Sequence, residues 1–159
     1  MDEILSGKTV LVVDDTAVSR MLAADVLTHA GAKLLEADGG EVALKVAQEN
    51  AIDAILLDMR MGDMNGIEVC RALRNMPAYR KTPIMFVTAM DEREVLQWAL
   101  DAGADDFIQK PLHAMVLRRR LANLILKAES MRRAEQLSQS LERYVSPRTA
   151  RMAREFVAT

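Results

Sequence analysis

Val10-Leu11-Val12-Val13-Asp14-Asp15 is a run of four apolar residues that ends on two adjacent carboxylates. It is too short for a helix and too apolar for a half-exposed strand, so it reads as a strand buried on both faces. The pattern returns along the chain. Ile55-Leu56-Leu57 leads into Asp58, Ile84-Met85-Phe86-Val87 into Thr88, and Phe107-Ile108-Gln109 into Lys110. Open parallel sheets gather their chemistry at the carboxyl ends of their strands. Three carboxylates, a hydroxyl and an ammonium at such ends are therefore expected to meet in one small pocket. Those are the groups that a divalent cation and a phosphoryl group require.

Helical patterns separate the strands. Thr9–Val13 reads as the first strand and Ala17–Ala30 as a helix, with Val18, Met21, Leu22, Val26 and Leu27 along one face and Gly31 as terminator. Lys33–Ala37 is a weaker strand, followed by a helix over Gly40–Asn50 that carries Val42, Ala43, Val46 and Ala47. Ala54–Leu57 is the third strand; the helix after it, Gly66–Asn75, has Ile67, Val69, Cys70 and Leu73 as its apolar positions. Pro77 and Pro83 mark a loop before the strand Ile84–Val87. Asp91–Ala102 is a helix with Asp91 as N-cap and Gly103 as terminator, and Asp106–Gln109 is the last strand. Such alternation implies right-handed crossovers and helices on both faces of a parallel sheet.

Beyond Ala114 the periodicity changes. Leu117, Leu121, Leu124, Ala128 and Met131 step by four and three, the spacing of a heptad seam. Strict register then brings Glu135 and Ser138 onto the seam, while Leu137, Leu141 and Tyr144 resume it one residue early. No glycine or proline interrupts Leu112 to Ser146, which predicts one long helix projecting beyond a globular body that ends near Leu126. Ser146-Pro147 reads as a stop followed by a new helix start, with Ala150 to Val157 as a short second helix. The division expected is a domain over 1–126 and a helical extension over 127–159.

The bulk properties narrow the classes. The chain has 159 residues, half of them hydrophobic, and a net charge of −2, which argues against a nucleic-acid binder. Its single cysteine, Cys70, permits no internal disulfide and suits a reducing cytoplasm. No apolar run approaches the roughly 20 residues that span a bilayer, and the acidic start Met1-Asp2-Glu3 opens no signal peptide. A soluble cytoplasmic protein is expected. His29 and His113 have no partner at ligand spacing and read as surface residues, Cys70 as a small core residue, and Arg118-Arg119-Arg120 as a solvated helix face. Most of the eleven methionines read as packing, with Met59, Met61 and Met64 lining the loop over the site.

Asp58 is the candidate nucleophile, because a carboxylate can accept a phosphoryl group as a mixed anhydride. Both reactants are anionic, so a Mg²⁺ held by carboxylates and water would bridge them. Asp14 and Asp15 supply the local negative charge, Lys110 a point charge for the phosphoryl oxygens, and Thr88 a hydroxyl donor. Any one of these residues alone is more often a cap, a turn residue or a solvated lysine; the joint placement at successive strand ends favours a converging site.

These residues resemble the receiver domain of two-component response regulators, in particular the single-domain chemotaxis regulators. The resemblance is carried by Val12-Val13-Asp14-Asp15, Leu56-Leu57-Asp58-Met59-Arg60-Met61-Gly62-Asp63-Met64-Asn65-Gly66, Val87-Thr88-Ala89 and Gly103-Ala104-Asp105-Asp106-Phe107-Ile108-Gln109-Lys110-Pro111, and covers about residues 7 to 126. It implies a flavodoxin-like (βα)₅ sheet in the order 2-1-3-4-5, with the long C-terminal helix as an addition. It implies that Asp58 is the phospho-acceptor, that Asp15, Asp58 and the backbone carbonyl of Arg60 ligate Mg²⁺ with Asp14 acting through water, and that Lys110 binds the phosphoryl group. It further implies a cis Lys110–Pro111 bond, a switch pair in Thr88 and Phe107, and a phosphohistidine donor on a sensor histidine kinase or phosphotransfer protein. Such a chain phosphorylates itself and is not an enzyme acting on an external substrate.

Two departures bear on this. Gly62 stands where the family pattern usually has proline, which loosens the loop after Asp58. Arg60 and Met90 occupy positions that resemble those tuning the lifetime of the phosphoryl group, so a lifetime unlike that of the fast chemotaxis regulators is expected. In the tail, the segment from Leu141 through Tyr144 and Pro147 to Ala150 resembles the signature preceding class III nucleotide cyclase domains, which implies a receiver and signalling helix beside a larger output protein. A homodimer through the helix and no direct membrane or nucleic-acid contact complete the reading.

Three rivals fit less well. An aspartyl phosphatase wants two carboxylates separated by one residue, whereas Asp14 and Asp15 are adjacent. A structural pseudo-receiver would not need the intact set Asp14, Asp15, Asp58, Thr88 and Lys110. A dinucleotide-binding fold fails because Asp14-Asp15-Thr16-Ala17 contains no glycine.

Overall fold

Alternate residues of the central strands feed two separate apolar layers, and this places the sheet in the middle of a three-layer fold. The computed structural model describes residues 2–89 and 93–144. Five parallel strands, β1 (Thr9–Val13), β2 (Lys33–Ala37), β3 (Ala54–Asp58), β4 (Ile84–Thr88) and β5 (Asp106–Gln109), form one sheet in the order β2-β1-β3-β4-β5. Successive side chains of a strand point to opposite faces. Leu11, Val13, Ile55, Leu57, Ile84 and Phe86 enter one layer; Val10, Val12, Ala54, Leu56, Met85 and Val87 enter the other.

Helices cover both layers. On the first face lie α3 (Gly40–Glu49), α4 (Gly66–Arg74) and α5 (Arg93–Asp101), contributing Ala43, Ala47, Val69, Cys70, Leu73 and Ala99. On the second lie the short α1 (Asp2–Leu5), α2 (Ala17–His29) and the first turns of α6 (Ala114–Tyr144), with Leu5, Ala23, Leu27, Leu117, Leu121 and Ile125. Gly31 and Gly103 end α2 and α5 at φ 88° and 104°, the left-handed conformation that glycine adopts freely. Asn65 caps α4 by accepting the Glu68 backbone N–H at 2.9 Å.

The observed elements follow the expected ones to within about two residues. The packing face of α2 follows them only in part: Val26 and Leu27 turn to the sheet as expected, while Val18, Met21 and Leu22 do not. Val18, Met21 and Leu22 are 67%, 66% and 59% exposed, and the buried side is Ala23 and Leu27, with Val26 half-buried against the same layer. Ala23 and Leu27, one turn apart, with Val26 beside them, form the stripe that meets the sheet, and Val18, Met21 and Leu22 lie off it. The Pro77–Pro83 loop contains a 3₁₀ turn, Pro77–Tyr79, whose buried Tyr79 hydroxyl is directed at the carbonyl oxygens of Ala47, at 2.6 Å, and of Asn50. The basic triplet is not merely solvated: Arg118 donates to the Val26 carbonyl at 3.3 Å and Arg120 to the Phe107 carbonyl at 2.7 Å. Met59 is buried, and Met61 and Met64, half-buried in the loop after Asp58, pack against the first core layer. Cys70 is fully buried, its thiol 3.6 Å from the Ala102 carbonyl.

The chain divides into two units, Met1–Ile125 and Leu126–Thr159. In the second, residues up to Tyr144 are α-helical, with Met131 and Leu137 51% and 56% exposed and Ala128, Ala134 and Leu141 half-exposed. Met90, Asp91 and the Ser146–Val157 segment, with the cyclase-like signature beyond Tyr144, lie outside the described residues. Among the described residues no helix is long and apolar enough to cross a membrane.

Candidate functional site

The order of the sheet reverses at β1, whose two neighbours are β2 and β3, and such a switch point opens a crevice at the carboxyl ends of the strands. Asp14 follows β1, Asp58 ends β3, Thr88 ends β4 and Lys110 follows β5. All four expected strand-end groups thus come to the same rim. Asp14, Asp58 and Thr88 are buried there at 5%, 7% and 5% exposure, and Asp15 is exposed.

One carboxylate oxygen from each of Asp14, Asp15 and Asp58 lies within 4.8 Å of the others, which is the spacing of a shared cation. Lys110 Nζ stands 3.3 Å from Asp14 Oδ2 and 3.4 Å from Asp58 Oδ2. Local hydrogen bonds aim these groups. Thr16 N–H donates to Asp14 Oδ1 at 2.9 Å, and Arg60 N–H to Asp58 Oδ1 at 3.3 Å. The backbone N–H of Lys110 donates to the Thr88 carbonyl at 2.7 Å, and the Lys110–Pro111 bond is cis.

Three carboxylates and the Lys110 ammonium meet here, and the negative charge is felt at Asp58. Burial first, and then the negative charge of Asp14, push its carboxyl up from 3.8 to about 6, against the opposing pull of Lys110 and the Arg60 N–H. A divalent cation at this point would meet oxygen ligands only and would offset the excess negative charge, so the donor set fits Mg²⁺. Phe107 is half-buried beside the site strands, paired with Phe86 in the register that pairs Thr88 with Gln109. Paired residues of parallel strands share a face, so Thr88 and Phe107 lie on one side of the sheet.

The loop from Asp58 to α4 is closed at its base. Gly66 N–H donates to the Met59 carbonyl at 2.9 Å, and a Cβ at Gly66 would stand 2.5 Å from the Asp58 carbonyl oxygen and 2.7 Å from the Phe86 ring. Only a glycine allows that return.

Sequence reasoning did not single out Ser19, Arg20 or Asp63. Lys110 Nζ donates to Ser19 Oγ at 3.4 Å, and Arg20 donates to the Asp14 carbonyl at 2.8 Å while pairing with Glu36 at 3.3 Å. Their signal is position: polar residues in the first turns of the helix after the acidic pair face the strand ends. Asp63 accepts from Gly40 N–H and Glu41 N–H, both at 3.1 Å, and these bonds hold its carboxyl below the usual range. Its signal is the Gly39-Gly40 helix start, which carries no capping side chain of its own. His29 and His113 are exposed and lie outside the cluster.

Comparisons with known proteins agree with the geometry. The profile of the response regulator receiver domain matches residues 10–122. The chain is 33% identical over 138 residues to the cyclic di-GMP phosphodiesterase response regulator RpfG of Xanthomonas campestris pv. campestris, covering 86% of this chain and 36% of that protein. The chain thus spans about a third of that relative's length. The chemotaxis protein CheY4 of Vibrio cholerae superposes with a TM-score of 0.72 at 31% identity, covering 75% of this chain and 99% of that one. The receiver domain of the sensor histidine kinase PA1611 from Pseudomonas aeruginosa, solved with a magnesium ion coordinated in its active-site cleft, gives 0.71 at 28% identity over 76% and 98% of the two chains.

Proposed function

The chain belongs to the response regulator receiver domain family, and from that premise we propose that Asp58 is its phosphoryl acceptor. The donor is a phosphohistidine on a sensor histidine kinase or phosphotransfer protein. One observation carries the reading: a buried carboxylate at the end of a central strand lies between an ammonium at 3.4 Å and two further carboxylates within 4.8 Å.

Asp58 Oδ attacks the phosphorus; the P–N bond breaks, and the imidazole nitrogen departs with the bond's electron pair. Asp15, Asp58 and the Arg60 carbonyl would hold Mg²⁺, with Asp14 acting through water, and the ion would supply positive charge against the anionic carboxylate and phosphoryl group. Lys110 Nζ, already beside Asp58, neutralises phosphoryl oxygens, and Thr88 Oγ1 donates to one of them. Thr88 and Phe107, on one face of neighbouring strands, transmit the new charge to the sheet edge as a switch pair.

The division of labour is a receiver over 1–126 and an extension over 127–159. The extension pairs two copies or passes the signal to an output partner; the phosphodiesterase named above indicates the kind of output such a receiver can serve. The chain acts in the cytoplasm on its own aspartate, not on an external substrate, and without direct membrane or nucleic-acid contact.

The test uses wild type and Asp58→Ala with Mg²⁺ and a small phosphodonor. Wild type takes up phosphate close to one per chain and the variant none. A wild type that incorporates nothing would overturn the reading.

A further inference from the structure

We propose that Asp63 is a positioning residue for the metal side of the site: it holds the loop that carries Arg60 by capping a helix from outside that helix. The inference rests on the acceptor reading above. Helix α3 begins at Gly40 behind Gly39, an N-cap with no side chain to offer its exposed N–H groups. Those donors are served from 23 and 22 residues away. Asp63 Oδ1 accepts from Gly40 N–H and Oδ2 from Glu41 N–H, each at 3.1 Å. The carboxylate also meets the positive end of the helix dipole.

The fit depends on the two glycines. A Cβ on Gly39 would stand 2.9 Å from Asp63 Oδ1 and 3.0 Å from Oδ2, and one on Gly40 would stand 2.7 Å from Met64 Cβ. Gly39 is extended at φ −172°, a conformation any residue adopts, so the glycine there serves proximity and not a turn. The bare helix start lets the loop lie against it.

Positions 60–63 are thus held from both sides. At the base, Met59 N–H donates to Val87 at 3.1 Å, and the Met59 carbonyl accepts from Gly66 at 2.9 Å. At the crest, Asp63 is tied to α3. Between the two stands Gly62, the residue with the greatest backbone freedom, with nothing within 4 Å of a Cβ placed on it. A carbonyl that ligates a cation must keep its direction, and Arg60 lies in that span. Groups behind a ligand typically contribute 10- to 100-fold to metal affinity. Asp63 is such a group, acting through the backbone.

Asp63→Ala, Asp63→Asn and Gly39→Ala in the full chain test this, with Mn²⁺ as the probe. Mn²⁺ affinity is read by electron paramagnetic resonance, and amide hydrogen exchange is read on the metal-free protein. Asp63→Ala is expected to lower Mn²⁺ affinity about tenfold and to speed exchange at Gly40, Glu41 and residues 60–63. Gly39→Ala, which keeps every charge but displaces the carboxylate, lowers affinity in the same direction. Asp63→Asn, which retains one acceptor oxygen, recovers part of the loss. If Asp63→Ala loses protection at Gly40 and Glu41 yet binds Mn²⁺ as tightly as wild type, Asp63 is only a helix cap and the proposal falls alone. If wild type itself binds no Mn²⁺ and takes up no phosphate, the acceptor reading falls and takes this inference with it.

Discussion

Lys110 Nζ stands 3.4 Å from Asp58 Oδ2, although 52 residues separate them. The sheet brings them together: Asp58 ends β3 and Lys110 follows β5, with β4 between, and the lysine side chain reaches across. Lys110 pairs with both buried carboxylates, so its removal takes compensating positive charge from the site. Lys110→Ala is expected to slow phosphorylation of Asp58 by about 10²–10³-fold, the cost of losing one group that stabilises a developing anion. Lys110→Arg keeps the charge but not the compact ammonium, and recovers only part of the rate. Single-turnover uptake from a small phosphodonor measures both; a Lys110→Ala rate within threefold of wild type would remove the clamp role.

Asp58 also makes the metal-free fold sensitive to pH. Its carboxyl titrates near 6 in the fold against 3.8 when free. Between those values the folded protein holds more proton on Asp58 than the unfolded chain does, so this group's contribution is complete below about pH 3.8 and is lost as pH rises through about 6. At about 1.4 kcal/mol per pH unit the loss is of order 2–3 kcal/mol. In EDTA, Asp58→Asn should therefore gain stability over wild type as pH rises from 4 to 7. Urea unfolding at several pH values gives the difference, with the titration of groups away from the site cancelling between the two proteins. Equal stabilities at pH 7 would show that Asp58 is not strained in the metal-free state.

How much of this was legible in the chain depends on the kind of signal. Val10–Val13, Ile55–Leu57 and Ile84–Val87 announce buried strands through uninterrupted hydrophobicity, and the groups just beyond them, Asp14, Asp58, Thr88 and Lys110, announce the rim of the site. These features are local, and one strand end can be read without knowing its neighbour. The orientation of α2 was legible only in part: Val26 and Leu27 lie on the expected packing face, but Val18, Met21 and Leu22 continue the same apolar spacing, and only close packing against the sheet separates them. Asp63 was invisible for a different reason. Its partners are backbone N–H groups 22 and 23 residues upstream, and an absence of capping side chains at Gly39-Gly40 points to no particular rescuer. The fold is written in runs; the supports of the site are written in tertiary contacts.

Arg74 makes such contacts away from the site. From the last turn of α4 its guanidinium donates to the carbonyls of Gly103 at 2.9 Å, Tyr79 at 2.8 Å and Thr82 at 2.6 Å, and to Asp105 Oδ2 at 2.9 Å. Asp105 in turn accepts the Ile84 N–H at 2.9 Å, so one side chain gathers α4, the 3₁₀ turn and the starts of β4 and β5. The arginine side chain is only 17% exposed, so its loss strands carbonyls that water reaches poorly. Arg74→Ala should cost about 2–3 kcal/mol, and Arg74→Lys should recover little, because an ammonium cannot span the fork. Denaturant midpoints decide it; a loss below 0.5 kcal/mol would mean the carbonyls find other donors.

The extension makes a separable prediction. Met131 and Leu137 are more than half exposed on a helix that also carries half-exposed Ala128 and Leu141 along the seam. Full burial of a Leu or Met side chain is worth roughly 1.5–3 kcal/mol, and in a two-fold pair each residue is buried twice. Burying the exposed half of these side chains favours pairing of two helices, whereas on a lone chain that half faces water. Sedimentation of wild type should therefore give a dimer mass, and Met131→Glu with Leu137→Glu should give a monomer. Phosphate uptake at Asp58 should stay at the wild-type level, because neither residue lies in the unit that carries the site. A wild type that stays monomeric with and without beryllofluoride at high protein concentration would leave the seam to an output partner. A double variant that lost phosphorylation as well as mass would instead mean that pairing of the extension supports the site.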